Sequence, residues 1–424
     1  MIKTDYLILG AGPAGSWAVR GIRQEDKEGR ILIVGKEPRR AYFLPMLSKG
    51  YIQGRYPEEK LYLVKEDFYE SNNARFMGGN GAAALDTDKK IVTLEDDEQV
   101  SYEKLLICTG GSPFRFRVPG ADLRRIYYLR TLDDARIIRS ASGSAHEAVV
   151  IGGSFIGVEL AVALRELGLA VKLLMMENYI FQSLIPEEAG LYLTELMLEN
   201  GVEIYPRQKV TEFRGRDGLA EWVVTEDGNM FKADMFCAGI GLTLNIGYLE
   251  GAGIETGRGI IVNEYLETNV EGVYAAGDVA EFEDIILGYR HLTGHIENAL
   301  QQGRAAGRNM AGAKVEYAQV TGYDTEIFGT PLMFIGAPDG GEEFCVRRDN
   351  DDPRVCFSFR GGRLAGALLI KPGGKDIRVI KELVGMSGDG THGFKEKLCA
   401  PDTDLGALLD KIKGKEGQWS KDDR

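Results

Sequence analysis

Residues 148–178 read AVVIGGSFIGVELAVALRELGLAVKLLMMEN. The outline is a strand, a glycine-rich turn, a helix and a second strand, which is the plan of a βαβ nucleotide-binding unit. In the G-x-G-x-x-G pattern the first and third glycines are Gly152 and Gly157, with Phe155 and Ile156 between them, and Ser154 stands at the second place. Glycine at that place lets the backbone meet a pyrophosphate. Serine adds a small Cβ and a hydroxyl, which either crowd the phosphate or hydrogen-bond to it. As the smallest polar replacement it is read here as tolerated. About twenty residues on, where an acid should bind a ribose hydroxyl, stands Met175, with Glu177 two residues beyond. No Arg or Lys occurs in MMENYIFQS, residues 175–183, so a ribose 2′-phosphate would lack its charge partner. The pattern favours NADH over NADPH; the alternative is a structural unit that binds a nucleotide weakly or not at all.

The same design appears about 140 residues earlier. DYLILGAGPAGSWAVRGIRQED, residues 5–26, gives a strand, a turn and a helix, and ILIVGKEP, residues 31–38, gives the second strand. Here the pattern is complete in Gly10, Gly12 and Gly15. Gly10 permits the tight turn, Gly12 lets the backbone approach a pyrophosphate, and Gly15 lets helix and strand pack closely. The helix N-terminus then faces the phosphate charge. Glu37 is the candidate for the ribose hydroxyl. Two such units mean two nucleotide-binding modules or the duplication of one, and an α/β fold with two Rossmann-like, three-layer domains.

A chain of 424 residues exceeds one ordinary core. A net charge of −13 argues against a general nucleic-acid or anionic-membrane surface. The five cysteines are widely spaced with no CxxC, which excludes a sequence-local redox disulfide or zinc ribbon and fits a reducing compartment. The first strand begins at once in MIKTDYLILGAG, and no run of 18 apolar residues occurs. The expectation is a cytoplasmic protein with no signal peptide and no membrane span.

Four further segments have a common bearing: CTGG at 108–111, YAAGDVAE at 274–281, YFLPMLSKGY at 42–51 and GHIENALQQGRAAGRNMAG at 294–312. With the two glycine turns they resemble the two-dinucleotide flavoprotein reductases of the pyridine nucleotide-disulfide oxidoreductase superfamily. The third segment is similar to the Y-x-R-P-x-L-S-K stretch of ferredoxin and rubredoxin reductases and of apoptosis-inducing-factor-like proteins. The resemblance covers roughly residues 1–370. It implies an FAD-binding domain of 1–115 and 245–320, an NAD-binding domain of 116–244, and a C-terminal α+β interface domain of 321–424.

Carried over residue by residue, the resemblance puts Gly10, Gly12, Ala14, Gly15 and Glu37 at the FAD diphosphate and ribose. Thr109, Gly110, Gly277 and Asp278 line the rest of the FAD site, and His295 approaches the flavin. Gly152, Ser154, Phe155, Ile156, Gly157 and Glu177 serve the NAD site. Lys49 matches the family lysine beside flavin N5, and Glu159 matches its salt-bridge partner. No metal site is expected. Leu44 stands where the family pattern has arginine, and Ile296 where a tryptophan is often found. The redox cysteine pair of the disulfide reductases is absent, and Cys108 reads as a small buried residue.

The implied activity is electron exchange between NAD(H) and a one-electron protein carrier: a ferredoxin, a rubredoxin or an iron–sulfur subunit of a larger complex. The chain is then either a subunit of that complex or a homodimer. A locally basic stretch, Arg360 to Lys397, is either a docking surface for an acidic carrier or a dispersed solvated surface. The alternatives are an NADH oxidase that uses oxygen or peroxide, and a flavin-binding redox sensor.

Overall fold

The structure, a computed structural model, describes residues 1–338, 341–386, 391 and 393–422, and from 415 onward the backbone alone. The chain forms two compact units. The first comprises residues 1–44, 58–112 and 242–319, and the second residues 45–57, 113–241 and 320–424.

In the first unit, apolar runs with few polar interruptions form strands buried on both faces, as a parallel sheet between helices requires. Ile31–Gly35 is buried throughout. The parallel strands run in the order Ala74–Gly78, Ile31–Gly35, Ile2–Leu9, Gln99–Ile107. On its other side Gln99–Ile107 pairs first antiparallel with Ile91–Leu94, then parallel with Val273–Ala275. Helix Pro13–Glu25 starts with proline, whose fixed φ and missing N–H suit the first helical turn. It lies against helix Ile296–Met310. A Cβ at Gly303 would stand 2.1 Å from the Ala14 carbonyl oxygen, so only glycine allows these backbones to approach so closely.

In the middle of the first strand, Asp5 accepts from both the guanidinium and the backbone N–H of Arg30, which holds its carboxyl down at about 2. A depressed carboxylate adds stability above its unfolded value that is lost as pH falls through the folded one. The melting-temperature difference between the native protein and Asp5→Asn should therefore shrink between about pH 4 and pH 2. A thermal-melt series over that range measures it, and a constant difference would contradict the assignment.

The second unit repeats the parallel plan: Val202–Tyr205, Ala170–Leu174, Glu147–Ile151, Met235–Ala238, Ile126–Tyr128. Its first helix, Leu132–Ser142, opens with a reciprocal cap between Thr131 and Asp134. An antiparallel meander, Val210–Arg216, Leu219–Thr225 and Met230–Lys232, lies over one face with Phe213 and Phe231 in its core. The same unit holds a five-stranded antiparallel sheet ordered Gly322–Ile327, Thr330–Gly336, Arg363–Ile370, Asp352–Arg360, Glu343–Asp349.

The edge strand Glu343–Asp349 is fastened to the segment that follows helix Gly374–Gly385. Cys345 is disulfide-bonded to Cys399, Lys395 pairs with Glu343, and Arg347 donates to the carbonyls of Pro401 and Thr403. The bond spans 54 residues, so no local cysteine spacing signals it, and it runs against the expected reducing compartment, where such bonds are rare. Cys108, Cys237 and Cys356 are free and buried. Among the described residues, no helix is long and apolar enough to cross a membrane.

Candidate functional site

The two glycine turns are built alike. Gly10 has φ +119° and Gly152 has φ +120°, a backbone conformation that L side chains rarely adopt. Each faces the end of a neighbouring strand: a Cβ at Gly10 would lie 2.1 Å from the Cys108 carbonyl oxygen, and one at Gly152 would lie 2.3 Å from that of Gly239. Gly15 and Gly157 are each pressed to 1.9 Å, on the same measure, from the carbonyl oxygen of their turn's first glycine. Gly12 differs, because its Cβ position meets nothing within 4 Å. Ligand atoms can therefore come directly against that backbone.

This geometry explains why serine is accepted in the second turn. Gly12 has φ −77° and ψ −164°, and Ser154 has φ −106° and ψ −170°. Both are extended conformations open to any residue. The Ser154 hydroxyl makes no cap bond to helix Phe155–Glu166.

In the first unit, every candidate except His295 directly follows the carboxyl end of a parallel strand, where ligands bind in such sheets. Gly10, Gly12, Ala14 and Gly15 follow Ile2–Leu9, and Glu37 follows Ile31–Gly35. Thr109 and Gly110 follow Gln99–Ile107, and Gly277 and Asp278 follow Val273–Ala275. His295, half-buried, is the residue just before helix Ile296–Met310. The Glu37 carboxylate accepts twice from the Tyr42 hydroxyl, at 2.9 and 3.0 Å, which fixes its direction. Asn245 holds the Thr109–Gly110 turn: its carbonyl accepts from the Thr109 hydroxyl at 2.8 Å and its amide donates back at 3.1 Å. The Gly277 N–H donates to Gln302 Oε1, while Gln302 Nε2 is buried with no partner. A buried donor left open in this way is a costly arrangement unless something completes it. Cys108 is small and buried, and burial pushes its thiol upward, which makes it inert.

In the second unit Gly152, Ser154, Phe155, Ile156 and Gly157 form the turn and helix start. The Met175 sulfur and Glu177 Oε2 come within 3.0 and 3.2 Å of the Gly153 Cβ position. Met175 is thus packing beneath the turn, and the acid beside the glycines is Glu177. Phe155 sits in an aromatic cluster with Phe181, Tyr323 and Phe334, at centroid distances of 4.9 to 5.3 Å. The backbone N–H of Arg207 donates to the Glu177 carbonyl, so the fold brings the backbone of a cationic residue close that the 175–183 stretch does not contain.

Lys49 and Glu159 come together in this unit as well. Glu159 lies on the apolar helix Phe155–Glu166 and is only 7% exposed. Its carboxylate accepts from Ser48 Oγ at 2.5 Å and from Thr325 Oγ1 at 2.8 Å, and Oε1 is 3.7 Å from Lys49 Nζ. Burial pushes its carboxyl above the usual range, outweighing the lowering by Lys49, Ser48 and Thr325, and the nearby Asp324 charge adds to the rise. Lys49 lies in a widened helical turn, Leu47–Tyr51, at φ −96° and ψ 28°. It also meets the Asp324 carboxylate at 3.4 Å and donates to the Asp324 carbonyl. The arrangement is a fixed cation on a buried anion, suited to stabilising negative charge that develops near the lysine. Ser48, Thr325 and Asp324 were not foreseen. Thr325 and Asp324 lie far along the chain, with no local sign to link them to Lys49.

A family model described as pyridine nucleotide-disulphide oxidoreductase matches residues 4–303. The ferredoxin--NAD(+) reductase subunit of the benzene 1,2-dioxygenase system of Pseudomonas putida is 31% identical, over 80% of this chain and 82% of that protein. Rhodocoxin reductase of Rhodococcus erythropolis is 32% identical, over 85% of each. The solved structure of the covalent putidaredoxin reductase–putidaredoxin complex is similar with a TM-score of 0.89 at 26% identity, covering 97% of this chain and 100% of that one. Two matched glycine turns, a lysine held on a buried glutamate and these likenesses agree: the chain belongs to the pyridine nucleotide-disulphide oxidoreductase family.

Proposed function

We propose that this chain is an FAD-containing enzyme that exchanges electrons between NAD(H) and a one-electron iron–sulfur carrier. The observation that supports the reading most is the repeated turn: Gly10 and Gly152 share one conformation, each following a strand that is paired on both sides in its own parallel sheet. Two dinucleotide turns equip one chain with an electron donor and an electron acceptor. The family's cofactors are FAD and NAD(H).

The first turn, with Gly10, Gly12, Ala14, Gly15 and Glu37, suits the FAD diphosphate and ribose, and Thr109, Gly110, Gly277, Asp278 and His295 suit the rest. The open face of Gly12 and the unmatched amide of Gln302 fit such a ligand. The second turn, with Glu177, suits NAD(H). Bound flavin supplies the exchange between two-electron and one-electron chemistry. Lys49 contributes a positive charge for the anionic reduced form, and Glu159 keeps that charge in place. On this reading residues 1–115 and 245–320 are the FAD module, 116–244 the NAD module and 321–424 the interface domain. The names of the relatives, a ferredoxin--NAD(+) reductase and a rhodocoxin reductase, support an iron–sulfur carrier.

The test compares acceptors. With NADH and a two-iron ferredoxin or a rubredoxin, carrier reduction should outrun oxygen consumption. Oxygen uptake that ignores added carrier would point to an oxidase, and a flavin that NADH does not reduce would point to a sensor. A second expectation concerns the nucleotide. Glu177 should repel a 2′-phosphate at a cost of about 2–3 kcal/mol, a preference of roughly 30- to 150-fold in kcat/KM for NADH. Glu177→Ala should narrow that ratio. Equal use of NADPH by the native protein would show that Arg207 overrides it.

A further inference from the structure

The proposed reaction leaves a proton to be disposed of. NADH delivers two electrons together with a hydrogen nucleus, whereas iron–sulfur carriers accept electrons singly and no proton. Each turnover therefore yields NAD⁺, two reduced carriers and one proton bound for water. Within the second unit three side chains run from a buried position to solvent: Glu159 is 7% exposed, Lys49 22% and Asp324 78%. Lys49 Nζ stands between them, 3.7 Å from Glu159 Oε1 and 3.4 Å from Asp324 Oδ2. Asp284, the other buried carboxylate among the described residues, is engaged with His291 and with the N–H groups of Ile286 and Leu287. Lys49 thus faces two carboxylates, one buried and one exposed.

We infer that Glu159, Lys49 and Asp324 form a proton relay from the buried carboxylate to water, with Asp324 as its outlet. The inference rests on the function proposed above. In the relay Glu159 first accepts the proton that the reaction liberates. One N–H bond of Lys49 breaks as an O–H bond forms on Asp324. The lone pair left on the neutral amine then takes the Glu159 proton, so that the Glu159 O–H breaks and the ammonium is restored. Asp324, in contact with solvent, then releases the proton. Both gaps exceed hydrogen-bond length by less than an ångström, which the flexible lysine stem can cover.

Burial favours the protonated form of Glu159, as a proton store requires. The charged groups that face it are Lys49, from the turn Leu47–Tyr51, and Asp324, from strand Gly322–Ile327. Of the other charges on the adjoining elements, Arg55 pairs with Glu166, Lys172 with Glu147 and Arg165 with the Asn200 carbonyl, and Glu326, on the strand of Asp324, is exposed. Cys237 on the adjoining strand is a buried thiol pushed up to about 12 by burial.

The relay is tested on flavin-loaded protein reduced by NADH without oxygen and then mixed with ferricyanide, with a pH-indicator dye reporting the proton. In the native protein proton release should keep step with flavin reoxidation. In Asp324→Ala it should lag by about tenfold or more, added acetate should remove the lag, and Asp324→Glu should behave as native. Oxidised protein gives a second readout, the infrared carbonyl band of Glu159, identified by its loss in Glu159→Gln. In Asp324→Asn this group should take up its proton at lower pH, because the charge that repels its carboxylate is gone. Proton release in step in Asp324→Ala, a lag that acetate does not relieve, or an unmoved Glu159 titration would overturn the relay. If NADH does not reduce the native flavin, the proposed function fails, and the infrared titration still decides whether the three groups are coupled.

Discussion

The Gly15→Ala variant is expected to purify with little flavin. A Cβ at this position would lie 1.9 Å from the Gly10 carbonyl oxygen, and neither backbone can yield without opening the turn. Overpacking of this kind costs about 1–3 kcal/mol. Taken from the bound form, that is roughly 5- to 150-fold in the FAD dissociation constant. The matched change in the second turn, Gly157→Ala, meets the Gly152 carbonyl oxygen at the same distance. It should leave the flavin in place and instead raise the NADH concentration needed for half-maximal reduction. Flavin absorbance per protein and an NADH titration separate the two variants. Flavin loss in Gly157→Ala with full retention in Gly15→Ala would reverse the assignment of the turns.

Lys49→Met should have the second large effect. It leaves the Glu159 carboxylate buried with two hydroxyl donors and no cation. Breaking a buried pair from one side costs about 3–5 kcal/mol, less whatever Glu159 recovers by taking a proton. The variant should therefore be less stable than the native protein, and the loss should grow as pH rises. The sign follows from the raised carboxyl: the folded state binds the proton more tightly than the unfolded one, so stability falls with pH between the unfolded and folded values. The double variant Lys49→Met/Glu159→Gln should recover most of that stability but not the function. Without the cation, reduction of the flavin by NADH should slow about a hundredfold. Urea melts at two pH values and rapid-mixing absorbance measure the two effects separately. A single variant as stable as the native protein at high pH would contradict the buried pair.

What the sequence made legible was local. Each glycine turn announces itself within six residues, because the tight turn, the backbone approach and the helix packing all fall on neighbouring positions. Glu37 and Glu177 follow at the ends of the next strands. Ser154 departs from the glycine pattern, yet the second position has an extended backbone, so its only demand is space. The Lys49–Glu159 pair spans 110 positions and was visible only through likeness to a family. Thr325 and Asp324 were out of reach, because strand Gly322–Ile327 delivers them by tertiary packing with no motif around them. The Cys345–Cys399 bond was hidden for the same reason. Residues 45–57, including Lys49, belong to the compact unit that contains Glu159, although in sequence they interrupt the first.

If one chain holds a flavin that NADH reduces, anaerobic rapid mixing of the FAD-loaded protein with NADH, followed at the flavin absorbance, will show it. The flavin should bleach fully within a second, at a rate that saturates with NADH and is slowed in Gly157→Ala and Lys49→Met. A flavin that stays oxidised after many seconds with excess NADH would contradict it.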